Sequence, residues 1–266
     1  MVKDWRRFIS GSLQPLHWRV APGRMWVRVS CFAVATAALV SGLGGCAPAL
    51  MPHSANVPVL GAKGAAELRG STGLNGTEVQ GAWAATNHLA LTAGGLRYAS
   101  GRDTRFRSAE VGLGYYAWPG NEVMLAVYAG AGYGSGRAAT SGFEGGRETD
   151  IRSRYLRPYI QPTLVWQPTE RWHLGLAWQV NQVHYLRLLE TTRTSAPTPF
   201  TVERNGAGLW QTQHQVMLTS SYWLSARWRL VVRVGGAQAG GQSGVAAEPW
   251  PLVANLGLTV RLGNAR

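Results

Sequence analysis

Residues 251–263 read PLVANLGLTVRLG, and this stretch decides the fold. Leu252, Ala254, Leu256, Leu258, Val260 and Leu262 fall on one parity, and Val253, Asn255, Gly257, Thr259 and Arg261 on the other. Successive side chains of a strand point to opposite faces, so a period of two over this length is a β signature. WRLVVRVGG (228–236) repeats the pattern, with Trp228, Leu230, Val232 and Val234 set against Arg229, Val231 and Arg233. So does RYLRPYIQPTLVW (154–166), where Leu156, Pro158, Ile160, Pro162, Leu164 and Trp166 oppose Tyr155, Arg157, Tyr159, Gln161 and Thr163.

Extending the alternation predicts ten strands, near 65–73, 77–85, 88–99, 107–117, 122–136, 152–166, 172–187, 209–223, 228–239 and 251–263. The connections after the second, fourth, sixth and eighth strands are short: TN, WPGN, QPTER and LSAR. Those after the third, fifth, seventh and ninth are longer, the longest near 137–151 and 188–208. An even strand number with short turns at one end and long loops at the other is the layout of an outer-membrane barrel. The expected fold is therefore all-β, an antiparallel up-and-down transmembrane β-barrel of about ten strands, occupying residues 64–266.

Composition agrees. Only 15% of the 266 residues are charged, while there are 34 Gly, 12 Trp and 9 Tyr; ordinary soluble domains carry roughly 25% charged residues. The more polar face holds Gln179, Asn181, Gln211, Gln213, Gln215, Tyr155, Tyr159, Gly130 and Gly132. That is not the Lys- and Glu-rich face of a water-exposed sheet. Its few charges, Glu67, Arg69, Glu110, Arg157, Arg229, Arg233 and Arg261, are candidates for ion pairs across a narrow lumen. Trp83, Trp166, Trp172 and Trp228 keep the apolar parity and sit next to short turns. They form a candidate aromatic belt, because an indole ring suits the boundary between acyl chains and head groups. Trp118 and Trp223 also neighbour short turns but fall off phase.

The N-terminal part reads as an address. MWVRVSCFAVATAALVSGLGGC (25–46) has a basic start, an apolar run over 31–43 and small residues before the cysteine, which is the pattern of a secretory signal. Its end, Leu43-Gly44-Gly45-Cys46, resembles the lipobox of bacterial lipoproteins, in which the cysteine becomes the lipidated N-terminus. The division expected is a signal peptide over 1–45, with Met25 as an alternative start, then a lipidated terminus and linker over 46–63. Under this reading Cys46 is acylated, with palmitate as the natural label, and the N-terminus is anchored on the periplasmic side of the outer membrane, where both barrel ends fall. Removing the residues before Cys46 takes away six basic residues and one acid, leaving 20 basic against 12 acidic and a net charge of +8. All those basic residues but Lys63 are Arg. No nucleic-acid motif accompanies them, so the expected partner is outer-membrane lipid, with lipopolysaccharide phosphates as the anionic group.

MPHSANVPVLGAKGAAELRGSTGLNGTEVQGAWAATNHLAL (51–91), with RSAEVGLGYY (107–116) and VYAGAGYGSG (127–136), resembles a group of uncharacterised Bacteroidota lipoproteins with an outer-membrane β-barrel-like body. The resemblance lies in texture and strand order over most of the chain after Cys46. It implies envelope location and fold, and no activity.

No catalytic motif stands out. GAGYGSG (130–136) fails the phosphate-loop pattern, since Ser135 occupies the third glycine position and no Lys-Ser/Thr follows; small residues in a crowded barrel wall account for it better. Ser243 lacks the spacing of a nucleophile elbow. The histidines are scattered singles without metal-ligand spacing, and no cofactor is expected. His184 with Glu190, and Asp103, Glu144, Glu148 and Asp150 on the loops of one rim, supply the components of a surface hydrolase, with His as general base. The Arg set 102, 105, 107, 147, 152 and 154 lies near the same rim. The function expected is a lipid-anchored outer-membrane barrel with a structural or interaction role and no catalysis. The alternatives are a small pore or ligand-binding barrel and, less favoured, the hydrolase.

Overall fold

The computed structural model describes residues 48–141, 147–194, 200–240 and 251–263. Eleven strands follow in chain order: β1 (Ala66–Gly73), β2 (Gly76–Ala84), β3 (Leu89–Ser100), β4 (Thr104–Ala117), β5 (Val123–Ser141), β6 (Arg147–Thr169), β7 (Trp172–Thr194), β8 (Phe200–Asn205), β9 (Trp210–Trp223), β10 (Trp228–Gly240) and β11 (Leu252–Leu262). Each pairs antiparallel with its neighbour, β7 pairs with β9, and β11 returns to β1, so ten strands close into a barrel. β8 is the exception. Among the described residues it pairs only with the far end of β7, from Leu189 to Thr194, as a flap beyond the barrel wall.

The polarity of the wall is inverted relative to a soluble barrel. On β6, Leu156, Ile160, Leu164 and Trp166 are exposed, while Tyr155, Arg157, Tyr159, Gln161 and Thr163 are buried. On β11, Leu256, Leu258 and Leu262 are exposed, while Asn255 and Thr259 are buried. Water would penalise that outer surface over its whole circumference; acyl chains do not. At about 3.3 Å per residue, the apolar run from Leu156 to Trp166 covers roughly 33 Å along the strand, or about 25 Å of height at a 40° tilt. The protein is a transmembrane β-barrel with an apolar outside and a polar inside.

The wall is fitted by glycines facing aromatic rings. Gly114, Gly130, Gly134 and Gly136 point inward, and a Cβ on each would meet Tyr128, Tyr159, Tyr155 and Phe106 respectively, at 2.1 to 2.7 Å. The GAGYGSG stretch is thus one strand's set of hollows, into which rings from adjacent strands lie flat. Gly76 makes a different use of the residue: its φ of +101° closes the tight β1–β2 hairpin.

Two expectations are corrected. Residues 137–141, 147–151, 188–194 and 200–205, expected within long loops, are strand. β5, β6 and β7 run 19, 23 and 23 residues and carry their ladder well past the apolar band. Polar residues on both faces there hid the strands, since alternation of hydrophobicity is lost once both faces meet water. The second correction concerns residues 46–63, read as a linker outside the barrel. Residues 48–60 are buried, and they run through the lumen.

Prolines at one parity of β6 also find their place. Pro158 and Pro162 pair with Ala131 and Val127 of β5, and the ladder to β7 skips both positions. The β6–β7 register shifts where Arg154 pairs with Arg187 but Tyr155 pairs with Tyr185, leaving Leu186 as an extra residue. This bulge flips the parity of β7, so Leu186 and Arg187 both face outward.

Candidate functional site

The lumen is filled by the chain's own N-terminal segment. At one end Ser153 Oγ donates to the carbonyl of Ala49, and Leu50 and Met51 pack with Phe106, Ile151, Tyr155, Tyr185 and Leu188, all in the long-strand half. At the other end Trp118 Nε1 donates to the Leu60 carbonyl at 3.0 Å, and the Tyr116 hydroxyl donates to those of Gly61 at 3.2 Å and Thr86 at 3.1 Å. The thread therefore enters at the long-strand rim and reaches the short-turn end before β1 begins. The expectation that the N-terminal segment leaves from the short-turn side is thereby overturned. β1 does start there, but the residues before it double back up the barrel axis to Pro48.

Apart from a single bridge at Leu50, the described thread joins no strand, so its backbone groups must be satisfied largely by side chains. Ser54 donates its N–H to Glu78 Oε1 at 2.8 Å, and Gln80 Nε2 donates to the Ser54 carbonyl. Gln215 Nε2 donates to the His53 carbonyl at 2.6 Å, and Gln161 Nε2 to that of Asn56 at 2.8 Å. An Arg69 nitrogen donates to the Val57 carbonyl at 3.1 Å, and the Val59 N–H donates to Glu67 Oε2 at 3.1 Å. The amides of the polar face are thus ligands for a peptide. Val57 presses on the bare Cα of Gly175, where a Cβ would come within 2.9 Å of its Cγ1.

Around the thread the charged side chains form pairs. Arg229 bonds Glu67 Oε2 at 2.6 Å, and Arg157 bonds Glu110 Oε2 at 2.6 Å. Arg69 donates to neutral oxygens, Thr259 Oγ1 at 3.0 Å and Gln80 Oε1 at 3.4 Å. Arg233 spreads its guanidinium over Asn255 at 2.8 Å, Gln80 at 2.7 Å, Ser71 at 2.7 Å and Glu78 at 3.2 Å. Six of the seven proposed lumen charges lie buried inside. Arg261 is only half-buried at the short-turn end, its guanidinium 4.1 Å from the Trp223 ring centre. Glu78, 1% exposed and central to the network, was missed. Its polar parity in GTEVQG (76–81) was the available signal.

Trp83, Trp166, Trp172 and Trp228 stand on the outer face at the short-turn end, each 44 to 48% exposed. The off-phase Trp223 is turned inward, and Trp118 holds the thread.

The components proposed for a hydrolase do not converge. His184 stacks on Trp210, the ring centres 4.3 Å apart on the outer face, whereas Glu190 is buried with Arg204 4.0 Å away. Asp103, Glu148 and Asp150 line a rim cavity of about 510 Å³ together with Arg137, Arg152 and Glu203, and among the described residues no histidine lines it. Glu144 and Ser243 lie outside the described residues.

No family model matches the chain, and no curated protein does. The likeness to Bacteroidota lipoproteins therefore stays an expectation. Among solved structures the chain is similar to the outer membrane protease OmpT of Escherichia coli, at 12% identity and a TM-score of 0.46, covering 74% of this chain and 91% of that one. It is similar also to the KdgM porin in complex with disordered oligogalacturonate, at 15% identity and a TM-score of 0.30, covering 76% and 99%. A third is the translocator domain of autotransporter NalP from Neisseria meningitidis, at 12% identity and a TM-score of 0.30, covering 74% and 85%. Likenesses this remote carry no function across, and the barrel itself rests on its closed strand register.

Proposed function

We propose that the protein is an outer-membrane barrel that closes its own lumen with residues 48–60, is tethered by acyl chains on Cys46, and serves a structural or interaction role and not solute flow. The observation that carries this reading is the thread, buried along the lumen and bonded through its backbone to Glu67, Arg69, Glu78, Gln161 and Gln215. A ten-stranded barrel has little interior to spare beyond its side chains, and the thread takes the axis. Reconstitution of the full chain into planar bilayers tests it: no stable open conductance is expected, and a persistent channel at moderate voltage refutes the plugged reading.

The tether belongs to the same proposal. Cys46 precedes Pro48 by two residues, a reach of at most about 7 Å. Long strands and loops of such barrels face outside the cell, so the acyl chains are assigned to the outer leaflet. Metabolic palmitate labelling that persists in Cys46→Ala removes the anchor from the proposal and leaves the plug standing.

A further inference from the structure

We infer that the outer wall of β3–β7 carries a binding site for a phosphorylated glycolipid of the outer leaflet. The strand register sets Arg97 opposite Arg107, Arg107 opposite Ser135, Ser135 opposite Arg154, and Arg154 opposite Arg187. This is one continuous row across five strands, about 19 Å long at 4.8 Å per strand. A second row beside it sets Arg105 opposite Arg137 and Arg137 opposite Arg152. All seven guanidiniums are on the outer face, and the β7 bulge is what turns Arg187 out to join them. The rows bound a groove of about 910 Å³.

Like charges directly opposite on neighbouring strands destabilise a sheet, so this arrangement needs a counter-charge. Protein supplies part of it. Asp150 bonds Arg137 at 3.0 and 3.2 Å and Arg152 at 3.1 Å, and Asp103 lies 3.9 Å from Arg137. Among the described residues, Arg97, Arg105, Arg107, Arg154 and Arg187 have no acidic partner, and Arg107 donates only to Ser135 Oγ, at 3.2 Å.

The position of the groove names the occupant. On each strand it begins where the lipid-facing residues stop: after Leu156 on β6, Tyr133 on β5 and Val111 on β4. A ligand there has acyl chains along the apolar wall and its anionic group at the Arg rows. Planar guanidiniums in pairs suit phosphate, which accepts two parallel N–H bonds. A diphosphorylated glycolipid meets both demands. The site rests on the reading that the long-strand end faces the outer leaflet, but its ligand chemistry does not depend on the plug or the tether.

Binding to the detergent-solubilised full chain is the test, read by native mass spectrometry with diphosphoryl lipid A and with the same lipid after enzymatic dephosphorylation. The expected result is at least tenfold tighter binding of the phosphorylated lipid. Arg107→Gln with Arg154→Gln loses at least tenfold, while Arg171→Gln with Arg227→Gln, at the short-turn end, binds as wild type. Folding of each variant is verified by its heat-dependent gel shift. Equal binding of the two lipids by wild type overturns the inference, as does a folded Arg107/Arg154 variant that binds like the control. Should that variant not fold, the comparison of lipids on wild type decides alone.

Discussion

Glu78 holds two things at once: Oε1 accepts the N–H of Ser54 from the thread at 2.8 Å, and Oε2 lies 3.2 Å from Arg233 of β10, three strands along the wall. A single carboxylate thus ties the plug to both β2 and β10. Loss of one partner of a buried ion pair costs about 3–5 kcal/mol, because the remaining charge stays desolvated. Arg233 keeps Asn255, Gln80 and Ser71, so Glu78→Ala is expected at the lower end, about 3 kcal/mol. Glu78→Gln retains an acceptor for Ser54 and should cost less. Urea unfolding in detergent micelles gives both values, and a Glu78→Ala midpoint equal to wild type contradicts the network.

The thread's course along the wall is open to direct capture. Val57 Cγ1 would stand 2.9 Å from a Cβ at position 175. In a Cys46→Ala background, Val57→Cys with Gly175→Cys should cross-link under mild oxidation and run faster on a non-reducing gel. Val57→Cys paired with Gly112→Cys, three strands away on β4, should not. Absence of the first cross-link in folded protein places the segment elsewhere.

Much of the wall was legible in the sequence, and the contents of the lumen were not. Ten strands, their parity and the inward or outward sense of the tryptophans all follow from a local period of two. Residues 48–60 show no period, because their backbone is satisfied by Gln161, Gln215 and Glu78 from strands distant in the chain. Nothing within HSANVPVL (53–60) marks such a debt. Glu78 was hidden for a related reason, since a single acid in a short strand reads as an ordinary polar position until its partner on β10 is known. Arg187 was hidden by the bulge at Leu186, which no count of alternation predicts.

The ring-and-hollow packing predicts a specific suppression. A Cβ on Gly134 would stand 2.3 Å from Tyr155 Cζ, so Gly134→Leu forces the ring aside and should destabilise by about 1–3 kcal/mol. Tyr155→Ala removes a buried ring and should also destabilise. Combined, the leucine can occupy part of the space the ring leaves, and the double variant should be more stable than the sum of the two losses predicts. Additive losses in thermal unfolding remove the steric account.

The outward tryptophans predict a depth pattern. Trp83, Trp166, Trp172 and Trp228 are exposed on the outer face, while Trp118 and Trp223 face the interior. Replacing the first four together with Phe should remove most of the fluorescence that lipids brominated near the head group quench from the short-turn side. Replacing Trp118 and Trp223 should leave that quenching nearly unchanged. Equal effects of the two sets dissolve the belt.

The direction of the thread predicts which side of the membrane receives the N-terminus. Ala49 is bonded by Ser153 in the same half of the barrel that carries the β8 flap and the Arg rows, and Leu60 is bonded by Trp118 at the opposite end. The described thread therefore begins in the long-strand half. An epitope inserted between Ala47 and Pro48 should be detected by antibody on intact cells, without permeabilisation, and should be lost to external protease while the barrel remains. The same epitope placed in the β9–β10 turn, after Leu224, should be reached only once the outer membrane is opened. If the two epitopes exchange behaviour, the barrel is inserted with its long strands inward. If both are hidden until permeabilisation, the segment before Pro48 folds back from the surface, and the outer-leaflet tether is withdrawn while the lumenal plug is kept.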